Sequence, residues 1–250
     1  MTAGFRLLSW NTYNKRRSPD AALALFHALA PDVLCLQEVN AALLELLRGQ
    51  ADWQVHSARD FTERGTLSWL VTATAWRSSA VQLPVNEQAA TSPSLLGRIS
   101  GWAESLDALS THLPEANLTF VNLHLSCAAG PAHRLTELRR VLAQVPSDRL
   151  VVCGDFNSFA NGSLKLLGPL FGFRREDYRG RESQRLVQAL SERGLRPLPS
   201  RRPTARFALT LDHVALTGDL IPGAAIEVLP ERHGSDHHPM LAILPMARPV

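Results

Sequence analysis

The 250-residue sequence has few cysteines and no long apolar segment, and these absences exclude several classes of protein. Its three cysteines form an odd count without C-x-x-C spacing, which argues against a disulfide framework or a cysteine-based zinc site. Cys35 and Cys153 lie within apolar segments, so we interpret them as buried, unreactive thiols. No apolar segment approaches the length of a membrane span, and the N-terminal apolar stretch is too short for a secretory signal. We therefore expect a cytoplasmic protein.

The overall composition is that of an ordinary globular protein. Hydrophobic residues make up 45% of the chain and charged residues 20%, and neither repeats nor low-complexity tracts interrupt it. A chain of this length predicts a single domain that spans residues 1–250. The net charge is +3 and the pI about 9.1, with arginine supplying nearly all of the positive charge. Arginine suits phosphate contacts, but it is also typical of GC-rich genomes, so charge alone does not establish nucleic-acid binding.

Apolar runs and amphipathic segments follow one another along the chain. Helical spacing of leucines and a proline in the first turn predict helices at residues 19–30, 41–47, 131–145 and 182–193. Short apolar runs predict strands at residues 5–10, 33–36, 69–75, 80–83, 106–111, 118–125, 150–153, 209–216, 224–229 and 240–244. This order predicts an α/β sandwich in which two sheets pack face to face with helices outside.

Polar residues occur at the ends of the apolar strands or just inside them. The residues at these positions are Asn11, Glu38, His124, Asp155 with Asn157, Asp212, and Asp236 with His237. Strand ends at one edge of a sandwich converge in space, so residues far apart in the chain can form one site.

The residue types suit hydrolysis of a phosphate ester. Such an ester is protected by its negative charge, so its hydrolysis needs a hard cation and a base for the attacking water. Glu38 and Asp236 offer the oxygen ligands that Mg²⁺ prefers, and Asn11 could complete the shell. His237 is the expected general base, and Asp212 is the carboxylate expected to hold its tautomer.

The remaining residues suit contacts with the water and the phosphate. Asp155 and Asn157, two positions apart, would orient the water and hold a phosphate oxygen. His124 would donate a hydrogen bond to the phosphoryl group, a contribution of about 2 to 4 kcal/mol.

Each residue also has an ordinary structural explanation when it is considered alone. Asp155 and Asn157 could form a turn, Glu38 could cap the following helix, and His124 could be a satisfied core histidine. The histidines around Asp236 could suggest zinc, but their spacing lacks a zinc pattern. The joint occurrence of all the clusters in one order favours the functional interpretation.

The motifs resemble, in order and spacing, those of the endonuclease/exonuclease/phosphatase superfamily, which has the deoxyribonuclease I-like fold. Gly-Asp-Phe-Asn and Ser-Asp-His-x-Pro are the most specific of them. The full set is Asn11, Leu36-Gln37-Glu38, Asn122-Leu123-His124-Leu125, Gly154-Asp155-Phe156-Asn157, Leu211-Asp212-His213 and Ser235-Asp236-His237-His238-Pro239. The resemblance implies a four-layered α/β sandwich of the α/β (α+β) class, and a divalent-metal phosphoesterase that uses Mg²⁺ or, alternatively, Mn²⁺.

Matching motif to motif assigns roles to single residues. Glu38 with Asn11 and Asp236 becomes the metal site, and Asp212 with His237 the base dyad. The other assignments are Asp155 and Asn157 as the pair that orients water and phosphate, and His124 as the phosphate contact.

Two departures from the family pattern concern the substrate pocket. Residues 72–78 match only loosely the Gly-x-Ala-x-x-Ser-Arg strand of many relatives. In the nucleases a second glutamate supports the histidine matched by His124, and Glu63 is the candidate here.

The leading hypothesis is a phosphodiesterase or nuclease acting on DNA or RNA, since the histidine pair and the basic pI suit a polyanion. The alternative is a phosphatase or phosphodiesterase for a lipid head group, an inositol phosphate or a nucleotide. A catalytically silent binding scaffold is disfavoured because the acidic and histidine residues are all present.

Overall fold

The computed structural model describes residues 4–13, 19–86, 94–102, 105–158, 162–178 and 181–246. Its α-helices are α1 (Asp20–Leu29), α2 (Ala41–Arg48), α3 (Leu95–Ser100), α4 (Pro131–Gln144) and α5 (Glu182–Ser191). Its strands are β1 (Phe5–Asn11), β2 (Val33–Val39), β3 (Gln54–Glu63), β4 (Thr66–Thr74), β5 (Ser79–Pro84), β6 (Asp107–Leu113), β7 (Leu118–His124), β8 (Leu150–Asp155), β9 (Leu195–Pro197), β10 (Asp212–Thr217), β11 (Ala225–Val228) and β12 (Met240–Leu244).

The strands form two six-stranded mixed sheets with similar plans. The first sheet has the order β11-β12-β1-β2-β4-β3, and the second has the order β5-β6-β7-β8-β10-β9. Each contains one parallel pair at its centre, β1 with β2 and β7 with β8, while the other neighbours are antiparallel. The carboxyl ends of each parallel pair therefore meet at one edge of their sheet.

The two sheets pack against each other through alternate residues of their central strands. Phe5 and Leu7 of β1 face this inner core, where Phe5 stacks on Phe120 of β7 at a ring separation of 5.9 Å. Cys35 and Cys153 are buried in the same layer, and all three cysteines of the chain are free. Successive residues of a strand point to opposite faces, and both faces of these central strands are covered. Their sequences therefore lack the regular alternation of apolar and polar residues that is typical of a half-exposed strand.

Helices cover the outer faces of both sheets. Leu8 and Trp10, which alternate with the inner residues of β1, pack against Phe26 of α1 and the leucines of α2. Leu138 of α4 and Leu186 of α5 pack on the outer face of the second sheet. The four-layered α/β sandwich predicted from the sequence is confirmed. No helix in the described ranges is long and apolar enough to cross a membrane.

The strand β3 was not predicted, and its composition explains why. It has the sequence QVHSARDFTE, in which charged and polar side chains outnumber apolar ones. β3 is the edge strand of its sheet, where Arg59 is exposed and bonds to Asp107 of β6 at 2.9 Å. An edge strand can carry such polar groups because part of it faces solvent.

Candidate active site

The side chains singled out from the sequence converge at one edge of the sandwich. Asn11 ends β1 and Glu38 lies next to the end of β2, while His124 and Asp155 end β7 and β8. The antiparallel β10 begins at the same edge, because its first residue, Asp212, pairs with Asp155. The hydrogen bond from Asn11 Nδ2 to Asp155 Oδ2, 3.0 Å long, joins the two sheets at this point.

A β-bulge turns Glu38 toward the site. The pairing of β2 with β4 shifts between Leu36 and Val39, and Glu38 there adopts a positive φ of 51°. Bulges near active sites commonly redirect a side chain in this way. Its carboxylate accepts a 3.0 Å hydrogen bond from Asn11 Nδ2, and its backbone N–H donates to Asp60 Oδ2 at 2.8 Å. Burial raises the pKa of Glu38, although nearby imidazoles and Asn11 oppose this effect.

Local geometry explains the Gly-Asp-Phe-Asn motif. Gly154 has a φ of 135°, and a Cβ at this position would overlap the backbone of Leu123 in the neighbouring strand. Asp155 Oδ1 accepts a hydrogen bond of 2.8 Å from the backbone N–H of Asn157, which itself has a positive φ of 49°. The Asn157 side chain donates to the Leu125 carbonyl at 2.8 Å. The motif thus fixes Asp155 at the tip of β8.

His237 and Asp212 form a buried pair in which Nδ1 and Oδ2 are 2.8 Å apart. The hydroxyl of Ser235 accepts a 3.0 Å hydrogen bond from the His237 N–H and donates to the Asn11 carbonyl at 2.7 Å. Thr204 Oγ1 accepts a 3.0 Å hydrogen bond from the backbone N–H of Asp212. Both members of the pair are therefore anchored through their backbones.

Asp155 lies between two imidazoles. Its Oδ2 is 3.6 Å from His237 Nε2 and 3.7 Å from His124 Nε2. Burial would lower the pKa of His237, but the charges of Asp212 and Asp155 raise it well above the usual value. Burial also opposes protonation of His124, yet Asp60, Asp155 and Glu38 raise its pKa to about 10. Burial would raise the pKa of Asp155, but the two imidazoles lower it.

Asp60 of β3 is a site residue that the sequence interpretation missed. Its Oδ1 lies 2.9 Å from His124 Nδ1, and both side chains are buried. The prediction that Glu63 supports His124 is wrong, because Glu63 accepts a hydrogen bond from Trp102 Nε1 at 2.9 Å. The pairing of β3 with β4 shifts between Arg59 and Thr62, so a bulge changes the direction of this segment. Arg64 and Gly65 form the turn between β3 and β4, and both have a positive φ. The glycine was the local sequence signal of this hairpin, which contains Asp60.

The donor set suits a hard divalent cation. Among the described residues, Asp155, Asp212 and His237 offer ligand atoms within 4.8 Å of one another. Asp212 Oδ1 is buried without a hydrogen-bond partner in the described part of the chain, and burial raises the pKa of this carboxyl. Glu38 joins this group through Asn11, which bonds to both Glu38 and Asp155. Asp236 is half-buried beside His237 and contributes to the raised pKa of that imidazole.

Comparison with known proteins gives one sequence match and many structural ones. The sequence profile of the endonuclease/exonuclease/phosphatase family matches residues 8–237. No curated protein matches the chain. The endonuclease domain of TRAS1, a telomere-specific non-LTR retrotransposon, is similar at a TM-score of 0.63 and 19% identity, with 96% of this chain and 98% of that chain covered.

Two further solved structures resemble the chain over almost its whole length. An AP endonuclease from Archaeoglobus fulgidus has a TM-score of 0.62 at 14% identity, with 97% of this chain and 100% of that chain covered. A 3′ phosphatase from Neisseria, bound to a product DNA hairpin, has a TM-score of 0.57 at 14% identity, with the same coverage of 97% and 100%. At these identities the structural likeness concerns the fold.

Proposed function

The chain belongs to the endonuclease/exonuclease/phosphatase family, and from this premise we propose that it is a divalent-metal-dependent phosphodiesterase that hydrolyses DNA or RNA. Family membership supports a phosphoester hydrolase. The observation that carries the finer proposal is the buried His237–Asp212 pair, 2.8 Å apart, directed at Asp155 in a site rich in carboxylates. The nucleases and the DNA-bound phosphatase among the structural neighbours favour a polynucleotide substrate.

Glu38, Asn11 and Asp236 would hold the cation, Mg²⁺ or Mn²⁺, with Asp155 close by. Burial raises the pKa of Glu38, so a positive charge at this position would offset the cost of keeping its carboxylate ionised. When bound, the cation would neutralise charge on a non-bridging phosphate oxygen. Asn11 keeps the two carboxylates of Glu38 and Asp155 at hydrogen-bond distance from one amide group, which limits their movement.

His237 and Asp212 would move the proton of the attacking water. Asp212 accepts Nδ1–H, which leaves Nε2 on the side of Asp155 to accept the proton in the neutral form of the ring. The charges of Asp212 and Asp155 raise the pKa of His237, so they would stabilise the imidazolium that forms when the ring takes the proton. Asp155 accepts hydrogen bonds at both oxygens, so its position is fixed for orienting a water.

His124 would bind a phosphate oxygen as a cation. Asp60 holds Nδ1, and the pKa of about 10 keeps the imidazole protonated at neutral pH. Nε2 remains on the side of Asp155, where the substrate would lie. Asn157 donates one of its two amide hydrogens to the Leu125 carbonyl, and the other would make a second phosphate contact.

A substrate panel tests this proposal directly. Single-stranded DNA, RNA, plasmid, duplex DNA with an abasic site, bis-p-nitrophenyl phosphate and inositol phosphates are each incubated with Mg²⁺, with Mn²⁺ and with EDTA. We expect hydrolysis of a polynucleotide that depends on the cation and stops in EDTA. A clear preference for inositol phosphates or another soluble monoester over every polynucleotide would contradict the nuclease assignment.

A further inference from the structure

A tight turn beside the candidate active site exposes one aromatic ring. Phe207 is 91% exposed. Phe207 and Ala208 both have positive φ, 58° and 56°, a conformation that costs a residue other than glycine about 1 kcal/mol or more. Hydrogen bonds from the N–H groups of Thr204 and Ala205 to the Leu209 carbonyl, 2.9 and 3.0 Å long, close the turn. The fold thus maintains a strained turn that leaves the ring in solvent.

Backbone contacts tie this turn to the segment that contains His237. Ala205 forms a β-bridge with His237, and the N–H of Arg206 donates to the Asp236 carbonyl at 3.0 Å. The N–H of His238 donates to the Thr204 carbonyl at 2.7 Å. A ligand on the Phe207 ring would therefore lie next to the proposed catalytic groups.

The ring borders a groove that we call the Phe207 groove, with a volume of about 360 Å³. Its lining includes Arg202, Arg206, Phe207, Leu229, Arg232 and His238. A second groove of about 580 Å³ shares Arg202, Val228 and Pro230 with it and adds Arg201. The two grooves are adjacent, since they share these three lining residues, and we call them together the track.

The track is positively charged. Arg201, Arg202, Arg206 and Arg232 form no ion pair with any residue that the structure describes, in contrast to Arg48, Arg59, Arg139 and Arg149. Glu227 is the one acidic residue among those lining either groove. Four guanidinium groups beside a single carboxylate attract a polyanion.

We propose that this track binds an unpaired polynucleotide segment, with one base stacked on Phe207 and its phosphates on Arg202, Arg206 and Arg232. Every nucleobase has a face that stacks on an aromatic ring, and guanidinium groups bind phosphates in a bidentate manner. An anionic membrane suits the surface less well, because Phe207 is the one large apolar side chain lining the track that is exposed, and it offers little area for insertion. The inference rests on the proposed function and deepens it, since it assigns a single-stranded segment next to the cleaved bond.

Binding of a fluorescent single-stranded oligonucleotide to the full chain tests the stacking contact. Fluorescence anisotropy is recorded in EDTA, so that hydrolysis does not contribute. We expect Phe207→Ala and Phe207→Leu to weaken binding roughly tenfold, and Phe207→Trp to keep it near the original value. All three variants retain a Cβ, so the strain of the turn is common to them. Val81→Ala, which shortens an exposed apolar side chain on β5, is the matched control and should bind normally.

A salt series tests the phosphate contacts. The double variant Arg202→Ala/Arg206→Ala should reduce the slope of log K against log salt by about 0.7 for each phosphate that the protein no longer neutralises. Arg196→Ala removes an exposed arginine of β9 that lines neither groove, and it should leave the slope unchanged.

The outcomes separate this inference from the proposed function. Normal binding by Phe207→Ala, or an unchanged slope in the double variant, would overturn the polynucleotide track. Binding to phosphatidylserine vesicles is measured for the same variants. If Phe207→Leu still binds the oligonucleotide normally and Phe207→Ala loses binding to the vesicles, the polynucleotide track is overturned and the surface binds a membrane instead. If the wild type fails to hydrolyse bis-p-nitrophenyl phosphate with Mg²⁺ while the binding series behaves as expected, the proposed function fails and the track stands.

Discussion

Replacing Asp212 by asparagine tests the proposed proton path most directly. The substitution keeps the shape of the side chain but removes the charge that lies 2.8 Å from His237 Nδ1. Both groups are buried, so water screens this charge only weakly. Loss of the corresponding acid in a Ser-His-Asp triad slows turnover about 10⁴-fold through the wrong tautomer. We therefore expect kcat to fall about 10³- to 10⁴-fold, which corresponds to about 4 to 5.5 kcal/mol.

The assay is steady-state hydrolysis of bis-p-nitrophenyl phosphate at saturating Mg²⁺, combined with an NMR titration of His237. The pKa of His237 should fall in the variant, because the Asp212 charge is a main cause of its elevation. Asp219→Asn makes the same chemical change in an exposed surface pair with Arg149 and should retain the normal rate. The dyad assignment is refuted if Asp212→Asn stays folded, lowers the pKa of His237 and still turns over at more than about a tenth of the wild-type rate.

Three further substitutions test other parts of the structure. Asp60→Asn should lower the pKa of His124 from about 10 toward its ordinary value and slow turnover about 100-fold, as measured by histidine NMR and by the same assay. Arg134→Met should lower the free energy of unfolding by about 3 to 5 kcal/mol in urea titrations, because it removes the guanidinium group that lies 2.7 Å from the buried Glu182 carboxylate. Gly154→Ala should cost at least about 2 kcal/mol, because the new Cβ would overlap the neighbouring strand.

Each of these predictions has an outcome that would contradict it. An unchanged pKa of His124 in Asp60→Asn would show that the 2.9 Å contact does not determine its charge. The second variant Glu182→Leu, added to Arg134→Met, should restore most of the lost stability, and failure to do so would contradict the ion-pair argument. Gly218→Ala is the control for the glycine, because a Cβ there would contact nothing within 4 Å.

The central part of the fold was predictable because its strands are apolar on both faces. β1, β2, β7 and β8 each lie between the facing sheet and a helical layer, so their sequences are mostly apolar and end at polar residues. The polar residue at each end was therefore visible without knowledge of the pairing. The edge strand β3 carries no such pattern, and the three-residue β9 is too short to show one.

The identity of the site residues was easier to predict from the sequence than the contacts between them. Asp60 could not be identified from residue types, since its relation to His124 depends on a bulge and on the position of β3 at the sheet edge. The sequence interpretation also assigned Asp155 only one role, that of orienting water and phosphate together with Asn157. In the structure Asp155 lies between His124 and His237, so its electrostatic role depends on a contact between strands that sequence spacing does not contain.

The site lies across the junction of two sheets, so its geometry depends on how these sheets stack. Asn122 controls this stacking in the interior, because its amide donates to the carbonyls of Leu36 and Val71 in the opposite sheet, each at 3.0 Å. Gln37 donates to Asn122 Oδ1 at 2.6 Å, which completes a buried amide cluster. Glu38 follows Gln37 directly and His124 lies two residues after Asn122. The same cluster that fixes the sheets therefore sets the separation between the proposed metal-binding carboxylate and the proposed phosphate-binding imidazole.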